Sequence, residues 1–117
     1  MDWYPTLLDI CGIQNPVDNL DGKSVLPLID AHDAKSLHKR LYWQWQKGWA
    51  VREGKWKLIA NGNHGLGRPK LDKLMLTNLE DERPETHNYA DEHPEIVEKL
   101  QKYHDAWAED VFAEYGP

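Results

Sequence analysis

A single cysteine, Cys11, excludes an internal disulfide, so burial and hydrogen bonding alone must hold the chain together. It leaves the compartment open. Positive charge is scarce: 14 Lys and Arg stand against 20 Asp and Glu, a net charge of −6, and no basic cluster is denser than Lys35–Arg40. Phosphate binding needs a positive surplus on one face, so this balance argues against nucleic acid as a partner. No run reaches the apolar length of a membrane span. Met1 leads into an ordered-looking segment without a basic leader region or cleavage site, so either the chain is cytosolic or its true N-terminus lies elsewhere. Metal-ligand patterns are missing too. The six histidines, at 32, 38, 64, 87, 93 and 104, form no i,i+4 helical pair of the zinc type. Glu80-Asp81-Glu82 lacks the alternating oxygen ligands and central glycine of a calcium loop and reads as a solvated turn. Nor is there a nucleophile paired with a base. Cys11 lies at an apolar helix end, where a buried thiol is inert packing. Neither a metal ligand nor a catalytic residue is assigned.

What the sequence does hold is tryptophan. Four of its six tryptophans fall within Leu41–Ile59. Gly48 and Glu53-Gly54 divide this stretch into the runs Leu41–Gln46, Trp49–Arg52 and Lys55–Ala60. Tyr, Trp, Val and Ile suit a pleated, half-buried surface, and glycine between such runs marks hairpins because it tolerates positive φ. An antiparallel meander is predicted, with Leu74–Leu79 as a fourth strand. At 117 residues the chain can bury roughly 65% of its unfolded surface, enough for a modest core.

Before the meander, Asp2–Gly12 reads as a short helix with Pro5 at its first position and Gly12 at its C-terminal cap. Its body (Leu7, Leu8, Ile10, Cys11) has little polar face and calls for a larger partner than the rest of the chain offers. Asp21-Gly22 marks a turn, Ser24 is placed to cap a helical turn over Val25–Ile29, and Ala31–Lys39 reads as exposed, with His32 and His38 solvated. After the meander, residues 61–69 hold three glycines and a proline and must be loop, bringing His64, Arg68 and Lys70 together as a candidate anion site or the solvated tip of a hairpin. Pro94 opens the clearest helix. Ile96, Leu100, Tyr103, Trp107 and Val111 recur at helical spacing, Glu98 and Lys102 pair on the charged face, and His104 borders the apolar stripe. The predicted fold is α+β: a small antiparallel sheet of about four strands covered by a long C-terminal helix, preceded by a short helix and an irregular segment.

Several stretches together resemble one family. Asp2–Gly12, Leu20-Asp21-Gly22-Lys23-Ser24-Val25-Leu26-Pro27-Leu28, Ala50–Ile59, Leu79–Ala90 and His93-Pro94-Glu95 are similar, in this order, to the C-terminal third of formylglycine-dependent sulfatases. The resemblance implies a hydrolase of sulfate esters. Its formylglycine would come from a Cys/Ser-x-Pro-x-Arg motif beside a calcium ion, both in a large N-terminal domain. Neither has a matching position here, because Cys11 is followed by Gly12-Ile13-Gln14-Asn15. It further implies that residues 1–29 are the last piece of that large domain, 30–39 a linker, and 40–117 the smaller subdomain with a helix over 94–114. Such enzymes are often periplasmic or secreted. The chain is then expected to be a fragment or truncated product, inactive alone, with an apolar patch at Leu7, Leu8 and Ile10 open to self-association. The smaller subdomain would close one side of a cleft for a sulfated substrate, a carbohydrate among them. Trp43, Trp45, His64, Arg68 and Lys70 are the candidate substrate-binding residues. Alternation puts Trp43 and Trp45 on one face, where packing beneath the terminal helix is the favoured alternative. A free-standing carbohydrate-binding or protein-interaction module is the competing reading.

Overall fold

The computed structural model describes residues 1–61 and 74–115. The chain divides into two units, Met1–Lys39 and Arg40–Pro117. The first holds helices α1 (Trp3–Ile10) and α2 (Leu26–Asp30). The second holds strands β1 (Arg40–Trp45), β2 (Gly48–Glu53), β3 (Trp56–Ala60) and β4 (Leu74–Asn78), followed by helix α3 (Pro94–Tyr115).

In the second unit the four strands form an antiparallel sheet in the order β1-β2-β3-β4. Its register aligns Tyr42, Val51, Leu58 and Leu76 across all four strands. Because side chains alternate along a strand, this row and its neighbours two residues away share one face. Val51, Leu58 and Leu76 are fully buried there with Leu100 of α3. The helix covers this face as its periodicity predicts. It begins at Pro94, whose missing N–H costs nothing in the first turn. Tyr42 stacks on Trp107 at 5.0 Å between ring centroids, and Trp49 on His104 at 3.9 Å. His104 is buried in the packing, and Glu98 meets Lys102 at 2.8 Å. Lys99 departs from the expected outer charged face. It reaches back to Glu53 at 2.6 Å, while Arg40 meets the same carboxylate at 2.5 Å and lies over the Tyr103 ring. Burial acts to raise the Glu53 carboxyl, but Lys99 and Arg40 outweigh it and hold it below its ordinary range.

The packing corrects one expectation. Trp43 and Trp45 do share a face, but it is the face opposite α3, so they are not core beneath the helix; they are 45% and 78% exposed. A second correction concerns the first hairpin. Its left-handed residue is Gln46, at φ 51°, rather than Gly48. Gly48 instead admits the Asn61 carbonyl oxygen, which a Cβ there would meet at 3.2 Å. Gly54 does take the positive φ expected of it, 59°. Asp81 is also more than solvated: it accepts a hydrogen bond from the Tyr89 hydroxyl at 2.9 Å, which raises that phenol.

The first unit is laced by polar contacts. Thr6, fully buried, donates to the Asp2 carbonyl at 2.6 Å and accepts the Val25 N–H at 2.9 Å. Helix α1 starts at Trp3, so Pro5 is its third residue rather than its first. It ends as expected with Gly12 at φ 64°, the Ile13 N–H bonding to Leu8 and the Gly12 N–H to Asp9. The Ser24 hydroxyl donates to Asp9 at 2.8 Å and its oxygen accepts the Leu26 N–H at 3.4 Å, so it meets the first turn of α2 as predicted, one residue before the N-cap position, which Val25 takes. His38 is not solvated either, because its Nε2 lies 2.9 Å from Asp2 and the side chain is half-buried. The Lys23 backbone N–H, helped by His38, holds the Asp2 carboxyl below its ordinary range against the effect of burial. Cys11 is exposed rather than buried. Leu7 and Ile10 are exposed and Leu8 is half-buried, so α1 presents apolar side chains to solvent.

Candidate functional site

The face of the sheet turned away from α3 carries two rows. Leu41, Arg52, Lys57 and Thr77 form one; Trp43, Ala50, Ile59 and Met75 form the other, with Trp45 beyond them opposite Gly48. Strand alternation selects these residues, and the turn at Gln46-Lys47 ends the face at its most exposed ring. A cavity of about 980 Å³ opens here, lined by Trp43, Trp45, Lys47, Trp49, Ile59 and Asn61 among others. That lies within the range of small-molecule sites.

Two polar groups here, Asn61 and Lys57, are held by partners. The Asn61 amide donates to the Lys47 carbonyl at 3.2 Å and ties the mouth of the β1–β2 hairpin to the end of β3. Lys57 forms an ion pair with Glu85, and its amine sits 5.5 Å from the Trp43 ring centroid. Glu85 itself has φ 61°. Lys47 has no carboxylate partner among the described residues. An exposed indole, a second indole beside a cation and a free ammonium can together hold a flat ring bearing negative charge. They supply no nucleophile or general base.

The structure therefore brings Trp43 and Trp45 together, both exposed, on the face opposite α3. His64, Arg68 and Lys70 lie outside the described residues. Sequence reasoning did not identify Lys47 or the Lys57–Glu85 pair as part of this face. The two-residue turns would have revealed Lys47 and Lys57, since they fix the register that places Lys57 on the Trp43 side. Glu85 gave no such signal.

No protein-family model matches the chain. Individual proteins do. Arylsulfatase K of Rattus norvegicus is 34% identical over 114 residues, covering 87% of this chain and 19% of that protein. Arylsulfatase K of Homo sapiens is 34% identical over 117 residues, covering 89% and 21% respectively. The chain matches a C-terminal portion of a sulfatase. Arylsulfatase K of Danio rerio agrees, at 29% identity over 111 residues covering 87% of this chain and 20% of that protein. The chain spans about a fifth of the length of these sulfatases.

The calcium and formylglycine that the sulfatase resemblance implies can be set against these residues. Among the described residues no group of three or more His, Cys, Asp or Glu side chains could hold a metal ion. Cys11 ends α1 beside the left-handed Gly12 and has no proline two residues on. Neither group fits the described residues.

Proposed function

We propose that the chain is the C-terminal subdomain of a sulfuric ester hydrolase, that it forms one wall of the substrate cleft, and that it hydrolyses no sulfate ester by itself. The match to arylsulfatase K over 87% of the chain carries this reading. In it, Trp43 and Trp45 border the cleft, and His64, Arg68 and Lys70, in the sequence between β3 and β4, engage the anionic group of a sulfated substrate, a carbohydrate among the candidates. Calcium and formylglycine belong to the rest of the enzyme. Residues 1–29 are the last piece of the large domain, 30–39 the linker, and 40–117 the subdomain. The apolar side of α1 at Leu7, Leu8 and Ile10 is then a packing surface, and in the isolated chain it drives self-association.

The 78% exposure of Trp45 favours one competing reading, a free-standing carbohydrate-binding module. Isothermal titration of the purified chain with neutral and sulfated oligosaccharides separates the two. No saturable heat with either sugar supports an incomplete cleft. Saturable binding abolished by Trp45→Ala supports the module and overturns the cleft-wall reading.

A further inference from the structure

The hairpin that carries Trp45 and Lys47 has a turn that needs holding. Gln46 adopts φ 51° without being glycine, which costs a side-chain-bearing residue stability unless its surroundings fix it. Part of that restraint comes from α3. The Gln44 amide nitrogen donates to the Gln46 carbonyl at 2.9 Å. With that nitrogen committed, the Gln44 Oε1 is the atom 3.2 Å from His104 Nε2, so Nε2 must carry the proton of this contact. His104 is 5% exposed, and its ring lies against Trp49 at 3.9 Å with an interplanar angle of 13°. Its other nitrogen, Nδ1, faces the exposed carboxylate of Asp105 at 3.4 Å. A buried N–H is thus linked through one amide to the turn at the mouth of the cavity.

We propose that His104 is a positioning residue for this site. Its Nε2–H, passed through Gln44 to the Gln46 carbonyl, sets the turn and with it the placement of Trp45 and Lys47. The ring's stack on Trp49, which also lines the cavity, holds the donor in place. A consequence for ligand binding rests on the cleft-wall reading. The hydrogen-bonded relay itself does not.

The test is amide hydrogen exchange on the 117-residue chain, read at Gln46, Lys47 and Gly48 against Leu100 as an internal reference. His104→Phe keeps an aromatic ring on Trp49 and removes the donor. His104→Gln restores an N–H near the Nε2 position, and His104→Asn places one near Nδ1. The Phe and Asn variants should exchange about tenfold faster at the turn with Leu100 unchanged, and the Gln variant should recover most of the protection. Unchanged turn exchange in the Phe variant overturns the proposal. So does equal loosening in all three variants, which would assign the effect to packing rather than to the N–H. Should the Phe variant fail to fold, Gln44→Met cuts the middle link and leaves the stack intact, with the same tenfold change expected and the same null result decisive. A failure of the cleft-wall reading in calorimetry leaves these exchange results untouched, so the two failures are distinguishable.

Discussion

Replacing Leu58 and Trp45 separately by alanine tests which face of the sheet is the core. Leu58 has no exposed surface and sits between Val51, Leu76 and Leu100. Removing its side chain leaves a cavity that these neighbours cannot fill, at a cost of about 2–5 kcal/mol. Trp45 keeps 78% of its surface in water, so folding buries only about a fifth of it. For a tryptophan that is roughly 50 Å², which at about 25 cal/mol per Å² is about 1.2 kcal/mol and an upper bound, because the unfolded chain already buries part of it. Urea unfolding followed by far-ultraviolet circular dichroism distinguishes the two. With a slope of about 1.5 kcal/mol per molar, a loss of about 3 kcal/mol at Leu58 lowers the midpoint by about 2 M, while Trp45→Ala lowers it by less than about 1 M. If Trp45→Ala proved as damaging as Leu58→Ala, the assignment of Trp45 to an exposed position on the face opposite α3 would be wrong.

Three further outcomes follow from individual contacts. Glu53 has a folded-state value below its unfolded one, so its stabilisation is present above the ordinary carboxylate range, about pH 4–5, and is lost as pH falls through the lower folded value; Lys99→Met should move the acid-unfolding midpoint to higher pH, and an unmoved midpoint would refute the pairing. Gly54→Ala should cost about 1 kcal/mol, seen as a drop of several degrees in Tm, because a Cβ there meets nothing within 4 Å and only the φ of 59° opposes it. Thr6→Val strands the Val25 N–H and should cost the first unit about 1–3 kcal/mol, read as faster proteolysis within residues 1–39 but not at Leu58.

The elements were legible because their signals are local. Alternation marks the strands, Pro94 and the stripe through Leu100 mark α3, and Gly12 and Gly54 mark the places where the backbone needs positive φ. What failed depends on partners far away in sequence. His38 looks solvated until Asp2, 36 residues earlier, is placed beside it, and Lys99 looks like an outer charge until Glu53, 46 residues away, turns up on the facing strand. The tryptophans illustrate a subtler limit. A period of two says that Trp43 and Trp45 share a face, but not which face the helix will cover. The turns at Gln46-Lys47 and Gly54-Lys55 fix the register and so sort the residues into rows, but the row Trp43, Ala50, Ile59 and Met75 is as apolar as the row Tyr42, Val51, Leu58 and Leu76, and only the packing of Leu100 of α3 on the second shows which one the helix covers. Gln46 was missed because a left-handed glutamine has no signature of its own; its neighbours' hydrogen bonds restrain it. At the candidate site the rings were visible in composition, whereas the Lys57–Glu85 pair was not, since Glu85 reaches it from an irregular segment after β4.

If these 117 residues supply a wall of a sulfatase cleft and none of its chemistry, as proposed, they hydrolyse no sulfate ester alone. Incubating the purified chain with a generic aryl sulfate in the presence of calcium, and measuring released phenol against buffer alone, tests it most directly. The expected rate equals the buffer's; sustained turnover proportional to the concentration of the chain would refute the cleft-wall reading.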